Sequence, residues 1–168
     1  MWSCNTGNKN QQWSIPGGFP AGRVINVILP SNNMVGSLPE ELGYLGELQD
    51  LSVNDNQIQG PIPVALAQLT KLIYFWLHKN RITGSIPAPL GQLKELTTFD
   101  ISSNQITGYI PVELAQMTKL TQFWINSNRI TGTIPDELGQ LTQLISFSIG
   151  NNKLTGTVPA SLGGLTNL

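Results

Sequence analysis

Side chains that could support acid–base or nucleophilic chemistry are few in this sequence of 168 residues. His78 is the single histidine and Cys4 the single cysteine, and the sequence around Cys4 offers no base to activate a thiol nucleophile. The His, Cys, Asp and Glu residues do not have the spacing of a metal site. The Gly163-Gly164 pair is not followed by the Lys and Ser or Thr of a phosphate-binding loop. The sequence therefore predicts no enzyme, no metal ion and no cofactor.

Aromatic residues at a regular interval point to recognition instead of catalysis. Trp76 and Trp124 lie 48 positions apart, and Asp100 lies midway between them. Exposed tryptophan and tyrosine are concentrated at binding hot spots, because they offer a large apolar area together with a polar atom. The predicted ligand-binding residues are these three together with Tyr74, His78 and Asn126, each of which lies two positions from one of the tryptophans.

A repeating structure must position these residues, because asparagine recurs every 24 residues. Each of these asparagines is followed by glycine four positions later and by proline seven positions later. A solenoid keeps one such spacing, since every coil stacks on a copy of itself. We expect each asparagine amide to satisfy backbone groups of its own coil and of the next coil, and so to be structural. The six residues of this column are Asn32, Asn56, Asn80, Asn104, Asn128 and Asn152.

The sequence of one coil predicts its local structure. Residues 98–102 (TFDIS) alternate polar and apolar side chains, which is typical of a half-buried strand. The leucines of residues 90–96 recur every three positions, which favours a short 3₁₀ or helical turn on the opposite wall. In-phase strands of successive coils stack about 4.8 Å apart as a parallel sheet. Trp76 and Trp124 then stand about 10 Å apart on the outer face, with Asp100 between them.

A longer period of two coils lies inside the shorter one. Residues 56–103 match residues 104–151 more closely than adjacent coils match each other, which indicates that a two-coil unit was duplicated. Surface features are therefore expected to alternate from coil to coil. Two interpretations of Trp76 and Trp124 remain open: a ligand platform, or side chains that were copied by duplication and serve as cover over their neighbours.

The repeat resembles a known family. Its pattern is Leu-x-x-Leu-x-x-(Leu/Phe)-x-(Ile/Leu/Val)-x-x-Asn-x-(Ile/Leu)-x-Gly-x-Ile-Pro-x-x-Leu-(Gly/Ala), carried clearly by residues 94–115 (KELTTFDISSNQITGYIPVELA) and 142–163 (TQLISFSIGNNKLTGTVPASLG). This pattern is similar to the plant-type leucine-rich repeat of receptor-like kinase and receptor-like protein ectodomains and of polygalacturonase inhibitors. The resemblance implies an α/β solenoid, a right-handed superhelix of six coils with a parallel β-sheet on the concave face and short 3₁₀ or helical turns on the convex side. It also implies a protein that binds other molecules outside the cell or at the cell surface.

The resemblance divides the chain into two parts. Residues 1–22 are expected to form a partial N-terminal cap, because Trp2-Ser3-Cys4 is similar to the second half of the family's cap, and residues 23–168 are expected to form the repeats. Leu168 occupies a core position just before another strand. We therefore interpret the sequence as a truncated fragment of a longer receptor-like protein, and this interpretation is compatible with a membrane anchor in the full-length protein. Within the sequence itself, no apolar stretch approaches the ~20 residues of a membrane span.

Charge and surface columns limit the expected partners. The net charge of −1 provides no electrostatic footprint for nucleic acid. A protein or peptide ligand is expected on the concave wall, and two rings at the predicted spacing also suit an oligosaccharide. One alternative is an inhibitor of a cell-wall hydrolase, as the polygalacturonase inhibitors are. Another is ice binding, since some plant proteins of this family are antifreeze proteins and two columns are rich in threonine: Thr83, Thr107, Thr131 and Thr155, and Ser85, Tyr109, Thr133 and Thr157.

Overall fold

The computed structural model describes residues 24–168, so the expected partial cap at residues 1–22 lies outside the described residues. In chain order, the strands are β1 (Asn26–Ile28), β2 (Val35–Ser37), β3 (Asp50–Ser52), β4 (Gln57–Gly60), β5 (Tyr74–Trp76), β6 (Arg81–Ile82), β7 (Thr98–Asp100), β8 (Gln122–Trp124), β9 (Thr131–Gly132), β10 (Ser146–Ser148) and β11 (Lys153–Leu154). The 3₁₀ helices are Glu40–Tyr44, Val64–Gln68, Ala88–Gln92, Val112–Gln116, Asp136–Gln140 and Ala160–Gly164.

One strand from each coil enters a six-stranded parallel sheet with the order β1-β3-β5-β7-β8-β10, which we call the concave sheet. Each residue pairs with the residue 24 positions further along the chain, as Asp50 does with Tyr74 and Trp76 does with Asp100. The remaining strands form two small parallel sheets, β2-β4-β6 and β9-β11. The predicted α/β solenoid, with a parallel sheet on one wall and short 3₁₀ turns on the other, is confirmed.

The inward-facing side chains of the concave sheet include a column of stacked aromatic rings. Phe75, Phe99 and Phe123 are fully buried. Successive ring centroids from Phe75 to Phe147 lie 5.5, 5.7 and 5.5 Å apart, with planes inclined by 8° to 25°. Burying one phenylalanine side chain contributes about 1.5–3 kcal/mol. This in-phase repetition joins coil to coil and holds the outward-facing positions in register.

The asparagine column joins each coil to the coil before it. The Oδ1 atom of Asn80 accepts a hydrogen bond from the backbone N–H of Ile58 at 3.0 Å, and its Nδ2 donates to the carbonyl oxygens of Val53 and Leu77, each at 3.0 Å. The cross-coil bonds therefore run to the preceding coil and not to the next one as expected, because the strand-end carbonyl and the turn N–H of that coil converge on the amide. The same bonding pattern is made by Asn56, Asn104, Asn128 and Asn152.

Proline and glycine shape the wall of 3₁₀ helices. Pro87 occupies the N-cap of its helix with φ −67° and ψ 123°, and its missing N–H ends the preceding extended segment. Gly91, in the same helix, allows the helix of the next coil to approach too closely for any Cβ atom. Ala115 occupies the equivalent place one coil later and is buried. Glycine and alanine alternate at this position from Gly43 to Gly139 and so follow the two-coil period, whereas Gly163 in the last coil departs from it.

Candidate functional site

Trp76 and Trp124 project from the outer face of the concave sheet on the two strands that flank Asp100. Both side chains are half-buried, and their ring centroids lie 6.0 Å apart with an interplanar angle of 57°. Their backbone positions are two strands, or about 10 Å, apart. The rings therefore lean towards each other across β7 and form one aromatic surface, instead of the two separate upright rings that the spacing predicted.

Asp100 lies in the strand between the two rings, and its side chain is only 4% exposed. Its Oδ1 accepts a hydrogen bond from the backbone N–H of Ser102 at 2.9 Å, and its Oδ2 lies 2.8 Å from Nδ1 of His78. Within residues 24–168, Nδ1 of His78 has no hydrogen-bond partner of good geometry, so this contact is electrostatic and not an aligned hydrogen bond. Asp100 was predicted to contact ligand, but its burial gives it the position of a support beneath the aromatic surface.

His78 connects the aromatic surface to a second carboxylate. Its ring meets Trp76 edge-on, with centroids 5.8 Å apart, and its Nε2 lies 3.6 Å from Oδ2 of Asp55. Asp55 also accepts a hydrogen bond from the Asn54 amide at 2.8 Å and lies 3.2 Å from Nζ of Lys79. The pKa of the Asp55 carboxyl is lowered, chiefly by the Asn54 hydrogen bond and also by the hydrogen bond and charge of Lys79 and the charge of His78. These effects outweigh the partial desolvation of the carboxyl, which acts to raise its pKa.

Asp55 was not among the residues predicted from the sequence. It lies 24 positions before Lys79, so coil stacking places the carboxylate beside the ammonium group. The same rule pairs other opposite charges that are one period apart, Glu47 with Lys71 and Glu95 with Lys119. Aligning charges by the 24-residue period would therefore have found this part of the site.

The remaining predicted residues lie around the aromatic surface. Tyr74 is 43% exposed and is the register partner of Asp50. The indole N–H of Trp124 donates to Oγ of Ser146 at 2.7 Å, which fixes the orientation of this ring. Asn126 is half-buried, and its amide makes one long hydrogen bond of 3.5 Å to the next residue. The structure thus brings Trp76, His78, Asp100 and Trp124 into one cluster, with Tyr74 and Asn126 at its margin.

The arrangement is suited to contact with a partner. Within residues 24–168, no group of three or more His, Cys, Asp and Glu side chains could hold a metal ion. Two hollows lie away from the aromatic surface, one of about 210 Å³ lined by Ala88 and Glu113 and one of about 600 Å³ lined by Ser37 and Arg81. None of the helices in this part of the chain is both long and apolar enough to cross a membrane. The candidate site is therefore an open surface and not a pocket.

Comparison with known proteins identifies the repeat. The family model described as Leucine Rich Repeat matches residues 47–69, 71–93, 95–117, 119–141 and 143–165. The chain belongs to the leucine-rich repeat family. No curated protein sequence matches it, whereas many solved structures do.

Three solved structures, two of plant receptor kinases and one of a bacterial protein, illustrate what this leucine-rich repeat protein is similar to. The ectodomain of the Arabidopsis thaliana membrane receptor kinase GASSHO1/SCHENGEN3, in complex with CASPARIAN STRIP INTEGRITY FACTOR 2, is 37% identical with a TM-score of 0.85; the match covers 86% of this chain and 17% of that one. The Arabidopsis receptor kinase HAESA, in complex with the peptide hormone IDA and the co-receptor SERK1, is 27% identical with a TM-score of 0.74; the match covers 86% of this chain and 28% of that one. A leucine-rich repeat protein of Leptospira interrogans is 34% identical with a TM-score of 0.75; the match covers 86% of this chain and 36% of that one.

Each of these matched chains is much longer than this one, which spans less than two fifths of any of the three. The similarity to plant receptor-kinase ectodomains confirms the plant-type repeat that was predicted from the sequence.

Proposed function

We propose that this leucine-rich repeat chain is the recognition module of an extracellular or cell-surface receptor-like protein, and that it binds a protein or peptide through the concave sheet. The observation that carries this proposal is the pair of half-exposed indoles of Trp76 and Trp124, whose centroids are 6.0 Å apart. Partly exposed aromatic rings at the centre of an open surface are typical of binding hot spots. The HAESA structure, which contains a peptide hormone, supports a peptide partner by analogy.

The rings are held in place before any ligand arrives. Trp124 is fixed by its hydrogen bond to Ser146, and Trp76 by edge contact with His78, which in turn faces the buried Asp100. Such preorganisation reduces the conformational entropy lost on binding, so more of the contact energy appears as affinity. We assign direct contact to Trp76 and Trp124, with Tyr74 and Asn126 extending the surface, and a positioning role to His78 and Asp100.

The observed geometry favours a peptide over an oligosaccharide or an ice surface. Two indoles tilted by 57° do not present the coplanar stacking faces, about 10 Å apart, that suited consecutive sugar rings. An ice-binding plane is also disfavoured, because Thr107 and Thr131 use their hydroxyls to donate to the carbonyls of Gly84 and Gly108 at 3.0 and 2.9 Å. The strands near these threonines form two separate small sheets instead of one flat array.

The test is the double replacement Trp76→Ala with Trp124→Ala. A phage-displayed random peptide library is selected on the immobilised wild-type protein, and the recovered peptides are then titrated against both proteins. We expect the double variant to bind at least about 100-fold more weakly, because a hot-spot side chain contributes about 2 kcal/mol or more. Circular dichroism and melting should change little, because neither ring belongs to the buried core.

The matched control is Tyr109→Ala, which removes an aromatic side chain that is 69% exposed and lies outside the concave sheet. It should bind the recovered peptides as the wild type does. Equal binding by the double variant would show that the concave aromatic surface is not the binding site. Inhibition of a polygalacturonase by the wild type, lost in the double variant, would assign the same surface to hydrolase inhibition instead.

A further inference from the structure

The concave sheet carries an uncompensated negative charge beside the aromatic surface. Its six strands contain two charged residues, Asp50 and Asp100, and neither lysine nor arginine. His78 faces Asp100 at 2.8 Å, whereas Asp50 makes no ion pair with any residue of the described range 24–168. The hydroxyl of Ser52 donates to Oδ1 of Asp50, which orients the carboxylate and leaves Oδ2 available to another donor.

Asp50 lies within reach of a group bound on the aromatic surface. Its register partner on the adjacent strand is Tyr74, and Trp76 lies two residues further along that strand. From the strand spacing and rise, the backbone positions of Asp50 and Trp76 are about 8 Å apart on the diagonal. One long side chain can therefore touch the indole of Trp76 and the carboxylate of Asp50 together. Tyr74, which is 43% exposed, lies at the corner between them.

We propose that this corner of Asp50, Tyr74 and Trp76 binds an arginine side chain of the partner peptide, an inference that rests on the proposed function. A guanidinium group stacks on an aromatic face and donates from its edge to a carboxylate at the same time. The lysine ammonium is a strongly hydrated point charge without a planar face, so it matches this corner less well. An acidic ligand side chain is disfavoured, because it would meet carboxylates on the same sheet.

The occupant is chosen by charge complementarity and by the shape of the corner. Asp100 is already faced by His78, and Asp55 by both Lys79 and His78. These contacts leave Asp50 as the carboxylate of the concave sheet that a ligand cation can pair with. The half-buried position of Asp50 reduces the screening of this interaction by solvent, which strengthens it relative to a fully exposed pair.

The experiment uses the peptides selected on the wild-type protein. Arginine should be enriched above its frequency in the library. A synthetic peptide in which that arginine is replaced by citrulline, which has nearly the same shape but no charge, should bind about tenfold more weakly. Asp50→Asn should weaken binding of the arginine peptide by a similar factor and should leave binding of the citrulline peptide unchanged. The control Asp136→Asn removes an exposed negative charge from a helix on the opposite wall and should change neither.

The outcomes separate this site from the proposed function. Peptides that need both tryptophans but bind equally well with arginine or citrulline would overturn the arginine site and leave the proposed function intact. Peptides that bind without either tryptophan would overturn both. The citrulline exchange alters the peptide and not the protein, so it decides the question even where Asp50→Asn lowers the stability of the fold.

Discussion

Gly91 lies so close to Glu113 that a Cβ atom at Gly91 would stand 2.2 Å from the Glu113 carbonyl oxygen. The two residues belong to neighbouring 3₁₀ helices, Ala88–Gln92 and Val112–Gln116. One coil later, Ala115 takes the place of the glycine and is buried. The two-coil period therefore has a packing role, since helix contacts that require glycine recur in every second coil.

Gly91→Ala should destabilise the protein by about 1–3 kcal/mol, because the added methyl group forces two packed helices apart. The control is Gly163→Ala, at the equivalent position of the last coil, where an added Cβ meets nothing within 4 Å. The control should be neutral or slightly stabilising, since alanine restricts the unfolded chain. Thermal unfolding followed by circular dichroism measures both, and equal melting temperatures would contradict the close approach.

Asn80→Ala should destabilise the protein by about 2–4 kcal/mol, because it leaves the buried N–H of Ile58 without an acceptor and removes one of the two asparagine hydrogen bonds at each of the carbonyl oxygens of Val53 and Leu77. Asn32→Ala is the matched control from the same column. Asn32 is exposed, and its amide donates to the carbonyl of Pro30, so its loss should cost well under half as much. Urea denaturation of the two variants gives the comparison. Similar losses would mean that cross-coil bonding is not what makes the column important.

Positions that repeat in every coil could be predicted from the sequence. Asn80 and its equivalents meet the same backbone groups in each coil, and Phe75, Phe99 and Phe123 meet a neighbour of the same shape. When identical environments recur, spacing alone determines the strand, the turn and the inward face. The concave sheet, the register and the structural role of the asparagine column therefore followed from the 24-residue period, whereas the direction of the cross-coil bonds did not.

Features that depend on unequal neighbours could not be predicted in the same way. The inclination of Trp76 towards Trp124 depends on the short side chain of Asp100 between them, which leaves room for both rings to tilt. The burial of Asp100 is a consequence of that tilt and of its contact with His78. Such side-chain torsions are set by local packing, about which a repeat period carries no information.

The contact between His78 and Asp100 can be measured by a double-mutant cycle with His78→Gln and Asp100→Asn. Each single variant leaves the other group in a poorly solvated place, so the two effects should not add. We expect a coupling free energy of about 1–2 kcal/mol from chemical denaturation near neutral pH. The exposed pair of Glu95 and Lys119 serves as the control cycle, with an expected coupling of about 0–1 kcal/mol. A smaller coupling free energy for the contact of His78 with Asp100 than for the exposed pair would contradict the role of Asp100 as a support beneath the aromatic surface.

Asp55 should give the protein a stability that is lost in acid. Folding lowers the pKa of this carboxyl below its ordinary value of 3.8, chiefly through the Asn54 hydrogen bond and also through Lys79 and His78. The folded state therefore favours the charged form, and this contribution is complete above the unfolded pKa and disappears as the pH falls through the lower folded pKa. Asp55→Asn retains a residue that tolerates the observed φ of 56°. Melting temperatures measured from about pH 6 to about pH 2 should show the variant below the wild type at the upper end, with the gap closing below pH 3.8. A gap of constant size would mean that the charge of Asp55 does not contribute to stability.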